Sequence, residues 1–157
     1  MTSHTFRFRL HDLLDAPPED APALRVERLS DSGAWDLQEP GLTTPAFRLY
    51  LIALLLCLRY HLVHGASAHG LPVQELRGAM DATVADDWTL EEVQASFQLR
   101  LDAAAGAAAR EKASEEALAA IRARMAGCPV VRNLPGHATW GIRLGVEEAG
   151  ASPDLRP

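Results

Sequence analysis

Hydrophobic and polar residues alternate toward both ends of this chain, and an almost solid apolar block lies between. Near the N-terminus Phe6, Phe8 and Leu10 interleave with Arg7 and Arg9, the period-two signature of a half-buried strand. Leu24 to Leu29 predicts a second short strand, Ser30-Asp31-Ser32-Gly33 a turn, and Trp35 to Leu37 the return strand of a hairpin. Asp15 to Pro22 reads as a loop, because its three prolines and three acids leave little room for regular structure.

Thr44-Pro45 opens a long helix, since Thr is a good N-cap and Pro suits the first helical position. The helix is expected to run to about Val63 or His64 and to stop at Gly65. It is apolar on nearly every face, so it should be buried all round. Its densest stretch, Leu49 to Leu58, is about half the roughly 20 residues that a membrane helix needs, and Arg48 and Arg59 bracket it. A buried core helix is the better reading.

Beyond a loop over His64 to Gly70, Leu76, Met80, Ala82 and Val84 share one parity and predict a strand ending before Asp86-Asp87. Val93, Ala95, Phe97, Leu99 and Leu101 alternate with polar residues and predict the clearest strand of all, wet on one face. Ala103 to Ala109 is a loop or a weak helix start. Ser114 then caps a helix with Glu115 and Glu116 in its first turn and Leu118, Ile121 and Met125 as its apolar stripe, ended by Gly127. Ala138, Trp140, Ile142, Leu144 and Val146 form one face of a last strand. Trp35, Trp88 and Trp140 read as core or rim aromatics. This order implies an α+β fold with antiparallel sheet. One domain is expected over residues 1–148, with a disordered tail over 149–157. One small sheet covers only one side of an all-apolar helix, so a second subunit is the natural source of the remaining cover.

Composition narrows the function. The chain of 157 residues is 48% hydrophobic and 23% charged, and its net charge is −6 from 15 basic and 21 acidic residues. With no basic block, nucleic acid is not an expected partner. The first residues lack the apolar run of a signal peptide. Two cysteines without such a signal point to reduced thiols in a cytoplasm. Cys57 sits inside the apolar helix, and Cys128 opens Cys128-Pro129-Val130-Val131-Arg132 after the second helix. Cys57 needs a nearby cation if it is to react as a thiolate, because burial raises a thiol's pKa. His61, four residues on, shares its helix face; Arg132, four residues after Cys128, could sit near either sulfur; Arg48 would reach Cys57 more readily from a partner chain. The bland alternatives are two inert core cysteines and a core or interface histidine. The scattered histidines show no metal-ligand spacing beyond the weak pair His61 and His64, so no metal site is expected.

Over roughly residues 41–148 the sequence resembles osmotically inducible protein C and the organic hydroperoxide resistance proteins, the OsmC/Ohr family. The resemblance rests on the Thr-Pro start of a long apolar helix, Cys57 about twelve residues later, Gly70-Leu71-Pro72-Val73, Cys128-Pro129-Val130 after a helix, and the final strand Thr139 to Glu147. It implies an intertwined homodimer with sheets of both chains wrapped around two central helices. It also implies a cofactor-free thiol peroxidase. Cys57 would attack an organic hydroperoxide and become a sulfenic acid, Cys128 would condense with it to a disulfide, and an external dithiol such as a lipoyl protein would restore both thiols. One position departs from the pattern. Active members carry a glutamate about ten residues before the first cysteine that orients an arginine toward the sulfur. Here that position is Phe47, and no acid lies between Gly41 and Glu75. Neither Arg25 nor Arg28 aligns clearly with that arginine. The departure motivates an alternative, a non-catalytic binding or interaction protein on the same fold.

Overall fold

The alternating segments do pair. The computed structural model describes residues 3–14 and 23–147, which leaves the whole Asp15–Pro22 loop and the expected tail outside the described residues. Six strands form one sheet in the order β3-β2-β1-β4-β5-β6: β1 His4–Leu13, β2 Leu24–Leu29, β3 Trp35–Leu37, β4 Val73–Val84, β5 Leu90–Leu101 and β6 Thr139–Val146. The register puts Phe8 opposite Met80, Leu10 opposite Gly78 and Leu76 opposite Leu99. Side chains of one parity therefore share a face across four strands, and Phe8, Leu10, Leu76, Met80, Phe97 and Leu99 are all buried there. Gly78 is a packing residue, because a Cβ there would stand 2.8 Å from the Phe97 ring.

Helix α1, Ala46–Ala68, lies on this apolar face. Leu51, Leu54, Leu55, Leu58 and Leu62 are at most 1% exposed, each contributing roughly 1.5–3 kcal/mol relative to an exposed leucine. Among the described residues α1 is the one helix long and apolar enough to cross a membrane, but here those leucines form the core. The expectation of burial all round fails. Ala53, Tyr60, His64 and Ser67 are exposed, and their spacing places them on one flank. A single sheet and one further helix cannot enclose a cylinder.

Gly65 does not end the helix. It lies within α1, where a Cβ would approach Ile121 to 3.3 Å. Its role is to let helix α3, Glu115–Ala126, come close. The stop comes at Gly70, whose φ of +65° suits a residue without Cβ. There the Gly70 N–H donates to the Ser67 carbonyl and the Leu71 N–H to the Ala66 carbonyl, a Schellman pair.

The expected antiparallel sheet is mixed. β6 runs parallel to β5, because the chain crosses back between them through a 3-10 turn Ala103–Ala105, α2 Gly106–Lys112, α3, and a four-residue helix α4 Pro129–Arg132. Such a crossover is what a parallel neighbour requires. The Ala103–Ala109 segment is thus mostly helical. Ser114 caps α3 as expected, accepting from the Ala117 N–H. Trp35, Trp88 and Trp140 lie at the rim, each more than a third exposed.

The other sheet face is ionic. Buried Glu75 meets His11 Nε2 at 2.6 Å, Arg77 Nε at 2.7 Å and Arg100 Nη2 at 2.6 Å. Burial pushes the Glu75 carboxyl up, but hydrogen bonds from Arg77 and His11 and the charges of Arg77 and Arg100 outweigh it, so its pKa falls below the usual 4.5. A carboxylate depressed in the folded state contributes stability above its unfolded pKa and loses it as pH falls through the folded one.

In urea unfolding, Gly65→Val should cost about 1–3 kcal/mol by wedging α1 from α3; unchanged stability would mean that the helices are not in contact there. A pH series should show the wild type losing stability below about pH 4.5 and Glu75→Gln losing less of it. Parallel curves would contradict the Glu75 assignment.

Candidate functional site

The close approach of α1 and α3 decides where the second cysteine arrives. Gly127 terminates α3, its N–H bonding to the carbonyls of Ala123 and Arg124. The next residue, Cys128, is the N-cap of α4, with Pro129 at the first helical position. Leu118, Ile121 and Met125 anchor α3 in the core, so the chain leaving it has little freedom, and Cys128 is fully buried. Cys57 approaches from the middle of α1 and is half-buried.

The two cysteines form a disulfide with their Cα atoms 6.3 Å apart, although 71 positions separate them in sequence. That spacing is within the range a disulfide needs. The structure therefore brings together the two cysteines that the sequence singled out.

His61 joins them. One imidazole nitrogen of His61 and both sulfurs lie within 4.8 Å of one another. The helical spacing of four made His61 a neighbour of Cys57, and α4 adds Cys128 to the same spot. His61 Nδ1 is buried and has no hydrogen-bond partner, a costly condition for a polar atom that some further group would relieve. The ring is held edge-on by Tyr60, with centroids 5.4 Å apart.

Other candidates stand elsewhere. Arg132 is exposed on α4. Arg48 has a buried Nε without a hydrogen-bond partner, as does Arg28, whose Nη1 donates to the Leu29 carbonyl. Arg25 is an exposed strand residue beside Glu27, 3.9 Å from it. Phe47 at the head of α1 contacts the rings of Phe6 and Trp88, both at 5.9 Å, and Tyr50 at 6.2 Å. Burial raises the Tyr50 pKa.

Two features had no sequence signal. Arg59, two residues past Cys57, turns to the opposite side of α1 and grips the buried Asp12 of β1 through Nε at 2.7 Å and Nη2 at 2.6 Å. This pair ties the helix to the sheet on the side away from the cysteine. A cavity of about 540 Å³ is lined by Gln74, Arg100, Asp102, Arg110 and Glu147, among others. None of the three cluster residues lines it.

No protein-family model matches the chain, and no curated protein is significantly similar to it. Solved structures do match. A protein assigned to osmotic stress and detoxification response in Psychrobacter arcticus superposes with a TM-score of 0.52 at 10% identity, over 76% of this chain and 87% of the other. An OsmC-like hydroperoxide resistance protein from Jannaschia sp. superposes with a TM-score of 0.50 at 15% identity, over 83% and 86%. At such identities the likeness is one of fold: this chain has an OsmC-like α+β fold, with a cysteine pair at disulfide distance inside it.

Proposed function

We propose that this protein is a thiol-dependent peroxidase that reduces organic hydroperoxides through Cys57 and Cys128. The observation that carries the reading is the disulfide itself: a half-buried cysteine and a fully buried one, far apart in sequence, meet at bonding distance. The Cys57 thiolate attacks one oxygen of ROOH; the O–O bond breaks, ROH leaves, and Cys57 becomes a sulfenic acid. Cys128 displaces water from that sulfur and forms the disulfide. A dithiol reductant, for instance a lipoyl protein, returns both sulfurs to thiols, and no cofactor takes part. Half-exposure of Cys57 gives substrate access. The leucines around it favour an apolar peroxide and oppose the thiolate, so a cation must offset burial. In this reading His61, with a ring nitrogen within 4.8 Å of both sulfurs, takes the role that the family gives to an arginine.

The uncovered flank of α1, with Ala53, Tyr60 and His64 exposed, supports a homodimer in which the partner covers it. The ring cluster at Phe47 favours a second reading. Where active relatives are expected to hold a glutamate, this chain packs aromatic residues, as a non-catalytic binding protein on the same fold could afford to do. A cytoplasmic setting, with neither membrane nor nucleic acid as a partner, suits a pair of thiols that must be kept reducible.

Consumption of cumene hydroperoxide with dithiothreitol or dihydrolipoamide tests the proposal. The wild type should turn over. Cys57→Ser should abolish turnover, and Cys128→Ser should lose sustained turnover while Cys57 oxidises. A wild type no faster than Cys57→Ser would leave the binding reading in its place. In single-turnover measurements near pH 7, His61→Ala should slow Cys57 oxidation by roughly tenfold or more. An unchanged rate would remove His61 from the chemistry.

A further inference from the structure

The Cys57, His61 and Cys128 cluster has a second capacity once the disulfide is open. We propose that the dithiol form binds one zinc ion through Cys57 Sγ, Cys128 Sγ and the His61 imidazole, with the fourth position open. Zinc takes sulfur at about 2.3 Å and imidazole nitrogen at about 2.0–2.1 Å, so the ligand atoms of a tetrahedral site stand roughly 3.5–3.8 Å apart. The His61 nitrogen and both sulfurs lie within 4.8 Å of one another while the disulfide holds the sulfurs together. Reduction lets the sulfurs part toward the spacing that the metal needs, through side-chain rotation alone.

The chemistry of the cluster fits as well as its size. Two thiolates neutralise the divalent charge, which makes the complex compatible with apolar surroundings. Cys57 and His61 offer a donor pair one helical turn apart on a single face, and α4 supplies the third donor from another element. His61 Nδ1 is buried without a hydrogen-bond partner, so the ring has an unmet demand that either ligation or a partner for the unligated nitrogen would meet. Cys57 and His61 are only partly buried, which gives solvent a route to the open position. The remaining histidines are placed elsewhere, with His11 held by Glu75.

Metal and disulfide use the same two sulfurs, so each excludes the other. With an organic hydroperoxide as oxidant the exchange is Zn(Cys57)(Cys128)(His61) + ROOH + 2 H⁺ → disulfide + Zn²⁺ + ROH + H₂O, in which two thiolates give two electrons to the O–O bond. This exchange rests on the peroxidase reading; zinc binding by the dithiol form does not.

The test needs no peroxide. Full-length protein, reduced and freed of reductant, is titrated with Zn²⁺ and weighed by native mass spectrometry, with Co²⁺ as a spectroscopic probe. The expected result is one metal per chain, thiolate-to-cobalt charge-transfer absorption, and visible bands of a four-coordinate site. The oxidised protein, which shares the fold, should bind none. Cys57→Ser and Cys128→Ser should each lose the charge-transfer band or weaken it, and His61→Ala should lose at least about tenfold in affinity. The proposal is overturned if the reduced protein stays metal-free at equimolar zinc, if the oxidised form binds equally, or if His61→Ala binds unchanged.

Discussion

Ile121 of α3 seats against α1 at Gly65, where a Cβ would stand 3.3 Å from it, tighter than an ordinary contact, and this contact governs the course of the chain beyond it. The helices pack this closely where one of them lacks a side chain at the crossing. Once α3 is anchored by Leu118, Ile121 and Met125, its end is fixed, Gly127 stops it, and Cys128 is delivered to the flank of α1 that carries Cys57 and His61. On the other side of α1, Arg59 grips Asp12 and ties the helix to β1. Taking both charges out of water is costly, and the pair gives little net stability. Its effect is orientation, because it holds the rotation of α1 two residues from Cys57.

The disulfide closes a long loop. A sequence separation of 71 corresponds to about 4 kcal/mol of unfolded-state entropy in the chain-entropy account. Under the proposed peroxidase cycle the reduced chain must therefore remain folded without that contribution. The buried leucines of α1, the four-strand apolar face of the sheet and the ionic lattice around Glu75 supply a core that does not depend on the sulfurs.

Much of this was legible in the sequence, and the parts that were not share a cause. Shared parity located β1, β4, β5 and β6, since period two is a local property of a strand with one wet face, and the Ser30–Gly33 turn pointed to the hairpin of β2 and β3. Ser114 marked a helix start through its side-chain cap, whereas Thr44 does not cap α1: Pro45 is the N-cap, no side chain bonds there, and the Thr44 hydroxyl accepts from the Gly41 N–H instead. Failures came where a neighbour in space decided. Gly65 reads as a stop and acts as a contact surface for Ile121. The alternation in β6 told which residues share a face but not which way the strand runs, because the crossover through α3 sets the direction. The uncovered flank of α1 reflects how little surface one sheet and one helix can cover. At the site, both cysteines and the helical proximity of His61 to Cys57 could be read in advance. The convergence of His61 with Cys128 could not, because it depends on how α3 packs. Phe47 at the head of α1 was legible as an aromatic residue, but not its packing against Phe6 and Trp88, which only the fold brings together.

The central claim is that Cys57 and Cys128 act together as a two-electron centre for a hydroperoxide. Intact mass spectrometry after one equivalent of cumene hydroperoxide tests it most directly. The account predicts that the reduced wild type loses two hydrogens, and that Cys128→Ser instead holds a trappable sulfenic acid on Cys57. An unchanged mass with both thiols still free would contradict it.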